Sequence, residues 1–178
     1  MLTRFRSISG TIVALLVLAM FSASTPAWAD PPGRVVRLGY MSGDISFQAA
    51  GDDERWTEAS LNRPLVPGDG LYVDRASRVE MEVGAASVRL DERSHFRVLN
   101  LDDSFAQMEL TEGTLNLRVR RVFDGDRYEI YTPTLAFVID RPGSYRVDIA
   151  PDGASTMVTV FEGAGVVYGE GDASRPVD

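Results

Sequence analysis

Cysteine and lysine are both missing from the 178-residue sequence, and histidine occurs once, at position 95. Without cysteine there can be no disulfide, thiolate metal ligand, thiol nucleophile or lipidated N-terminal cysteine. A lone histidine cannot build a multi-histidine metal site, and no Gly-x-Ser-x-Gly elbow or phosphate-cradling glycine loop stands beside it. With lysine absent, arginine supplies all 18 strong bases against 26 acids, a net charge of −8. That balance argues against nucleic acid and anionic membrane surfaces as electrostatic partners. Beyond residue 30 no segment sustains a 3.6-residue apolar period, which argues against helical and α/β plans.

Long hydrophobic runs are also scarce. The unbroken one, Ile12 to Phe21, follows Arg4 and Arg6 and precedes Ala27-Trp28-Ala29. This is the pattern of a secretory signal peptide over residues 1–29, with cleavage expected after Ala29. The run falls short of the roughly 20 apolar residues that span a bilayer. Cleavage would therefore leave no stable membrane span; the alternative keeps residues 12–23 as an anchor. Arg4 and Arg6 leave with the peptide and no acid does, so the exported chain carries −10. The expected location is the periplasm, or outside the cell. Residues 30–34 read as a flexible Pro-Pro-Gly leader, 35–168 as one all-β domain, and 169–178 as a disordered tail.

What the domain does contain is alternation. Arg78 to Val83 alternates strictly, sending Val79, Met81 and Val83 to one face. Similar strands are expected along Phe96–Leu101, Ala106–Leu110, Leu115–Val119, Tyr128–Tyr131, Tyr145–Ile149, Val158–Phe161 and Val166–Tyr168. Leu135–Ile139 is apolar on both faces and reads as a central, doubly covered strand. Pro64 and Pro67 assign Leu61–Gly70 to an edge or loop. Asp124-Gly125 has the composition of a type I′ hairpin turn, and Pro142-Gly143 and Pro151-Asp152-Gly153 also mark turns. Gly43, Gly113 and Gly163 each precede an alternating segment at unequal spacing, the sign of one turn type used three times with a left-handed glycine. The expected fold is all-β: a mostly antiparallel sandwich or roll, or a short solenoid-like stack of hairpins.

In this order, Gly68-Asp69 with Leu71, Arg78–Leu90, Leu110–Leu115, Tyr128–Thr132 with Pro133, Pro142–Val147 and Val158–Gly163 resemble a FecR-like domain along about residues 35–168. The leader PPGRVVRL, Trp56 and Leu99–Asp103 are similar to a group of exported proteobacterial proteins that carry such a domain. The resemblance implies a periplasmic all-β module. In FecR regulators such modules relay an outer-membrane receptor signal to a cytoplasmic sigma factor. Here only Met1–Gly10 precedes the apolar run, and the small α/β module that follows the β part in those regulators is not expected. The resemblance thus implies the module without direct sigma-factor control.

Candidate sites are few. Arg118, Arg120 and Arg121 form the densest basic patch, either a face that docks a partner or cross-strand pairs with Glu82, Glu109 or Glu129. Trp56 and Tyr72, with Tyr128 and Tyr131, could line a sugar platform or cap the end of a β core. His95 reads as a turn or edge residue. Asp124 and Asp126, the run Asp52-Asp53-Glu54, and Asp102-Asp103 suit solvated turns better than calcium, which wants six to eight oxygens. Carboxylate pairs for glycoside hydrolysis are not singled out by spacing. No catalytic residue, metal or cofactor is expected. The expected function is a non-enzymatic exported module that binds a protein or envelope component, with a membrane-anchored regulator and an envelope carbohydrate-binding or carbohydrate-acting protein as alternatives.

Overall fold

The computed structural model describes residues 34–178, apart from 53 and 172. The expected signal peptide, leader residues 30–33 and Asp53 lie outside the described residues. In chain order the strands begin with β1 (Val36–Ser42), β2 (Ile45–Gln48), β3 (Trp56–Glu58), β4 (Pro64–Leu65) and β5 (Gly70–Val73). Next come β6 (Arg78–Val83), β7 (Ala86–Leu90), β8 (Ser94–Leu101), β9 (Phe105–Glu112) and β10 (Thr114–Val119). The chain continues through β11 (Arg127–Tyr131), β12 (Ala136–Ile139), β13 (Gly143–Ile149), β14 (Thr156–Glu162), β15 (Gly165–Tyr168) and β16 (Ser174–Val177). No helix among the described residues is long and apolar enough to cross a membrane.

These strands form two sheets that do not close into a barrel, as a β-sandwich does. The seven-stranded sheet has the order β14-β13-β10-β7-β6-β1-β4, and the nine-stranded sheet β16-β15-β12-β11-β9-β8-β5-β2-β3. Alternation explains the interior. From the first sheet Leu38, Val79, Met81, Val88, Leu115 and Val147 are buried; from the second Phe47, Leu71, Phe96, Met108, Ile130 and Phe137. Each such side chain contributes about 1.5–3 kcal/mol by leaving water. Pairing is antiparallel throughout except between β9 and β11, which run parallel from Phe105↔Arg127 to Glu109↔Tyr131.

The three recurring glycines mark corners where the chain leaves one sheet for the other. Gly43 links β1 to β2, Gly113 links β9 to β10, and Gly163 links β14 to β15. All three take left-handed backbones, with φ of 82°, 83° and 105°. At each, a hydroxyl from elsewhere occupies the space a Cβ would need: Ser77, Ser94 and Tyr145 respectively. That hydroxyl accepts the N–H of the residue after the glycine: Asp44 to Ser77 Oγ at 2.9 Å, Thr114 to Ser94 Oγ at 3.0 Å, Ala164 to Tyr145 Oη at 3.1 Å. Each also donates to a carbonyl, Arg75, Thr114 and Arg141 in turn. A strand changing sheets loses ladder partners, and buried backbone groups left without them are costly. The hydroxyls restore those partners.

Four expectations need correction. Asp124-Gly125 is not a hairpin: β10 pairs with β7 and β13, while β11 pairs with β9 and β12 in the other sheet. Asp126 N–H closes the turn on Phe123 C=O at 2.9 Å, and only Gly125 has positive φ, as a type II turn demands. Pro142-Gly143 likewise carries the chain between sheets, from β12 to β13. Arg34 is no flexible leader residue but is buried against Asp126. The expected disordered tail holds β16, which pairs with β15 from Gly165↔Val177 to Tyr168↔Ser174. Its Pro176 is tolerated because the strand is an edge.

Candidate functional site

The outer face of the nine-stranded sheet presents the residues that alternation keeps out of the core. Ser46, Tyr72 and His95 stand in one row, because β2 pairs Ser46 with Tyr72 and β5 pairs Tyr72 with His95. Their neighbours Phe47, Leu71 and Phe96 point the other way, into the interior. On the outermost strand, β3, Trp56 is the register partner of Gln48 and so shares this face.

Three rings therefore converge from three strands. His95 packs against both Trp56 and Tyr72, with ring centroids 5.7 Å and 6.5 Å away and interplanar angles of 62° and 66°. Edge-to-face contact of this kind suits the positive rim and negative face of aromatic rings. With Ser46 at the floor, the three enclose a shallow pocket of about 260 Å³. Its wall is mostly ring surface.

His95 is held through one of its two ring nitrogens. Its Nδ1 is 2.9 Å from Thr111 Oγ1, while Nε2 is buried with no hydrogen-bond partner among the described residues. Burial lowers its pKa below the ordinary value of 6.5, and the Arg97 charge lowers it further against weaker opposition from Glu112 and Glu109. Both effects favour the neutral ring at pH 7. Behind it, buried Gln48 accepts a hydrogen bond from Arg97 Nη2 at 3.0 Å. A neutral, ring-walled recess of this kind can stack the face of a sugar, a proline or an aromatic group.

Trp56 and Tyr72 are thus brought together, and His95, read from sequence as a turn or edge residue, is the ring that joins them. The signal for it was the alternation of Ser94–Leu101, which places His95 and Arg97 on the face opposite Phe96 and Val98. Tyr128 is not part of the platform: it is fully buried in the interior, where its hydroxyl accepts Ala85 N–H at 3.3 Å. Tyr131 is exposed on the same outer face but lies on β11, strands away from the pocket.

Of the arginine patch, Arg118 lies on β10 in the other sheet, and Arg120 and Arg121 follow that strand's end. Arg118 Nη1 donates to Ser144 Oγ at 3.1 Å, Arg120 pairs with Glu82 at 3.0 Å, and Arg121 sits 5.8 Å from the Phe123 ring centroid. Arg118 faces outward with Ser87, Arg89, Asn116 and Phe161 around a shallow groove of about 240 Å³. Glu129 pairs instead with Arg127, at 3.2 Å.

The acidic turns serve the backbone. Asp102 accepts the N–H groups of Ser104 at 2.8 Å and Phe105 at 2.7 Å, which hold its carboxyl below the usual range. Asp126 is taken by Arg34 and by Phe123 N–H. Among the described residues no three His, Asp or Glu side chains stand close enough together to hold a metal ion.

No family model matches the chain, and no curated protein does. Among solved structures, the fold is similar to that of a proposed anti-sigma factor from Parabacteroides distasonis ATCC 8503, with a TM-score of 0.52 and 16% identity. The match covers 61% of this chain and spans half of that one. At this identity the likeness is one of fold.

Proposed function

We propose that this chain is an exported, non-enzymatic FecR-like β module that binds an envelope component through the Trp56–Tyr72–His95 pocket. The pocket is the observation that carries the reading: three rings from separate strands, outside the core, around a recess that the chain itself does not fill. The −10 charge of the exported chain and the neutral pocket together favour an uncharged, ring-faced ligand such as a glycan unit or a proline-bearing segment. The export pattern of residues 1–29 supports a periplasmic or secreted location. The fold likeness to a proposed anti-sigma factor is compatible with a part in envelope signalling.

The residues that carry the FecR resemblance act mainly on the fold. Gly113 and Gly163 are sheet-to-sheet corners, and Asp69 uses its carboxylate to accept the N–H groups of Ala50 and Val66, both at 2.9 Å. Ligand choice would rest on the less patterned outer face.

Trp56 is the one tryptophan after Ala29, so its intrinsic fluorescence reports directly on the pocket. Titrating the exported chain with soluble envelope glycan fragments should shift that emission saturably, and the Tyr72→Ala and His95→Ala variants should lose the response. Saturable binding that both variants retain would refute the pocket assignment. Sequencing the N-terminus of the exported protein separates the free module, which starts at Asp30, from an anchored regulator that keeps residues 12–23.

A further inference from the structure

A sheet edge offers unmade backbone hydrogen bonds, and proteins blunt such edges with short strands, prolines or charges. Three of the four edges here are blunted. β4 is two residues long and opens on Pro64; β3 has three residues; β16 carries Arg175 and Pro176. The fourth, β14, runs for seven residues, TMVTVFE, with no proline and no charge before Glu162; its bulge lies at the far end, at Phe161, and leaves Thr156–Val160 in regular register. It is apolar on both faces: Met157 and Phe161 are 61% and 67% exposed outside, while Val158 and Val160 are only partly buried inside.

The interior beside this edge is also incomplete. Phe137 of β12 packs on Tyr145 of β13, ring centroids 5.5 Å apart, so these two strands lie across from each other. Beyond them the nine-stranded sheet has two more strands, β15 and β16, but the seven-stranded sheet has only β14. One strand position is open. Where it would lie there is a groove of about 420 Å³ walled by Leu135, Val158, Val160, Val167 and Val177, with Thr156 on β14 and Arg175, Pro176 and Asp178 along the facing strand and its end. Arg175 has no ion pair among the described residues.

We infer that β14 accepts one extended strand from a partner protein, completing the seven-stranded sheet. The geometry defines that strand. Its inward side chains are apolar and cover Val158, Val160, Val167 and Val177; its middle is uncharged, like β14; and a carboxylate at one end meets Arg175. A second copy of this chain fits less well. Pairing β14 with its own symmetry mate would drive the two overhanging β16 strands into the same layer. This inference is independent of the ring pocket, which lies at the opposite end of the other sheet.

The test uses the exported chain and a synthetic peptide of alternating valine and threonine ending in glutamate, with two twins N-methylated at odd or at even residues. N-methylation keeps the side chains and removes ladder donors. The plain peptide should slow hydrogen exchange of the edge-facing amides within Thr156–Val160, the regular part of the strand. One twin should lose this protection and the other keep it, because only alternate donors face the edge. Arg175→Glu, at an exposed position, should weaken binding by about tenfold. Unprotected β14 amides at millimolar peptide, or equal binding of all three peptides, would overturn the inference. So would concentration-dependent dimerisation that protects the same amides without peptide, which would make a second copy the occupant.

Discussion

Arg34 Nη2 sits 2.7 Å from Asp126 Oδ1, an ion pair closed across 92 positions of chain with both side chains less than a tenth exposed. The guanidinium also lies 5.1 Å from the Tyr128 ring centroid and fills the space beside Gly84. It ties the start of the domain to the loop that carries the chain from β10 to β11. Removing one partner of a buried pair strands the other's charge, so Asp126→Ala should cost about 3–5 kcal/mol in urea unfolding. The double replacement R34M/D126L should recover most of that loss, since it removes both charges while keeping volume. Equal losses in the single and double variants would mean that the charges are not what couples the two segments.

The corner glycines and the loop glycine should respond differently to alanine. Gly125 has positive φ but nothing within 4 Å of a new Cβ, so Gly125→Ala should cost only the left-handed penalty, about 1–2 kcal/mol. Gly163→Ala adds a collision with the Tyr145 hydroxyl and the Pro142 carbonyl, and should cost roughly 2–5 kcal/mol. Tyr145→Phe keeps the ring but leaves Ala164 N–H without its partner, about 1–3 kcal/mol. Thermal or denaturant midpoints of the three variants give the ranking directly.

His95 gives the fold a pH dependence of known sign. Its folded pKa lies below the ordinary value of 6.5, so folded and unfolded chains are both neutral there above that value. As pH falls through 6.5 the unfolded chain binds the proton first, and stability declines until the folded pKa is passed. His95→Gln should flatten the stability profile between about pH 7 and pH 5. An unchanged slope in that window would place its origin in other groups.

The arginine face should matter little to the fold or to the ring pocket. Arg120 and Glu82 are both about half exposed, and such pairs are worth less than about 1 kcal/mol, so Arg120→Ala should barely move the unfolding midpoint. Reversing Arg118, Arg120 and Arg121 to glutamate should leave the Trp56 titration unchanged, since Arg118 is on β10 of the other sheet and Arg120 and Arg121 directly follow it. If the same reversal abolishes recovery of a periplasmic partner, that face is a docking surface; equal recovery would discard the idea.

Much of this was legible from residue order alone. The alternation of Arg78–Val83 and Gly143–Ile149 is realised strand by strand, and the doubly apolar Leu135–Ile139 falls on an inner strand, between β11 and β15. The proline-rich connector yields only the two-residue edge strand β4. The Trp56–Tyr72–His95 pocket was legible only in part. Trp56 and Tyr72 stood out by type, whereas His95 joins them through register across β2, β5 and β8, which no local window contains.

Local chemistry was enough to specify an all-β chain, most of its strand positions (β16 excepted) and the left-handed corner glycines, because pleat alternation and steric limits on φ act within a few residues. It could not specify which sheet each strand joins. Asp124-Gly125 carries every mark of a hairpin, yet β10 and β11 part there, because β10 finds β7 and β13 while β11 finds β9 and β12. Turn residues permit a reversal; they do not choose the ladder that follows. That choice belongs to long-range pairing, helped at the three corners Gly43, Gly113 and Gly163 by the hydroxyls of Ser77, Ser94 and Tyr145, which come from elsewhere in the chain. The open position beside β14 arises the same way, from unequal strand numbers in two sheets that exist only once the whole domain has folded.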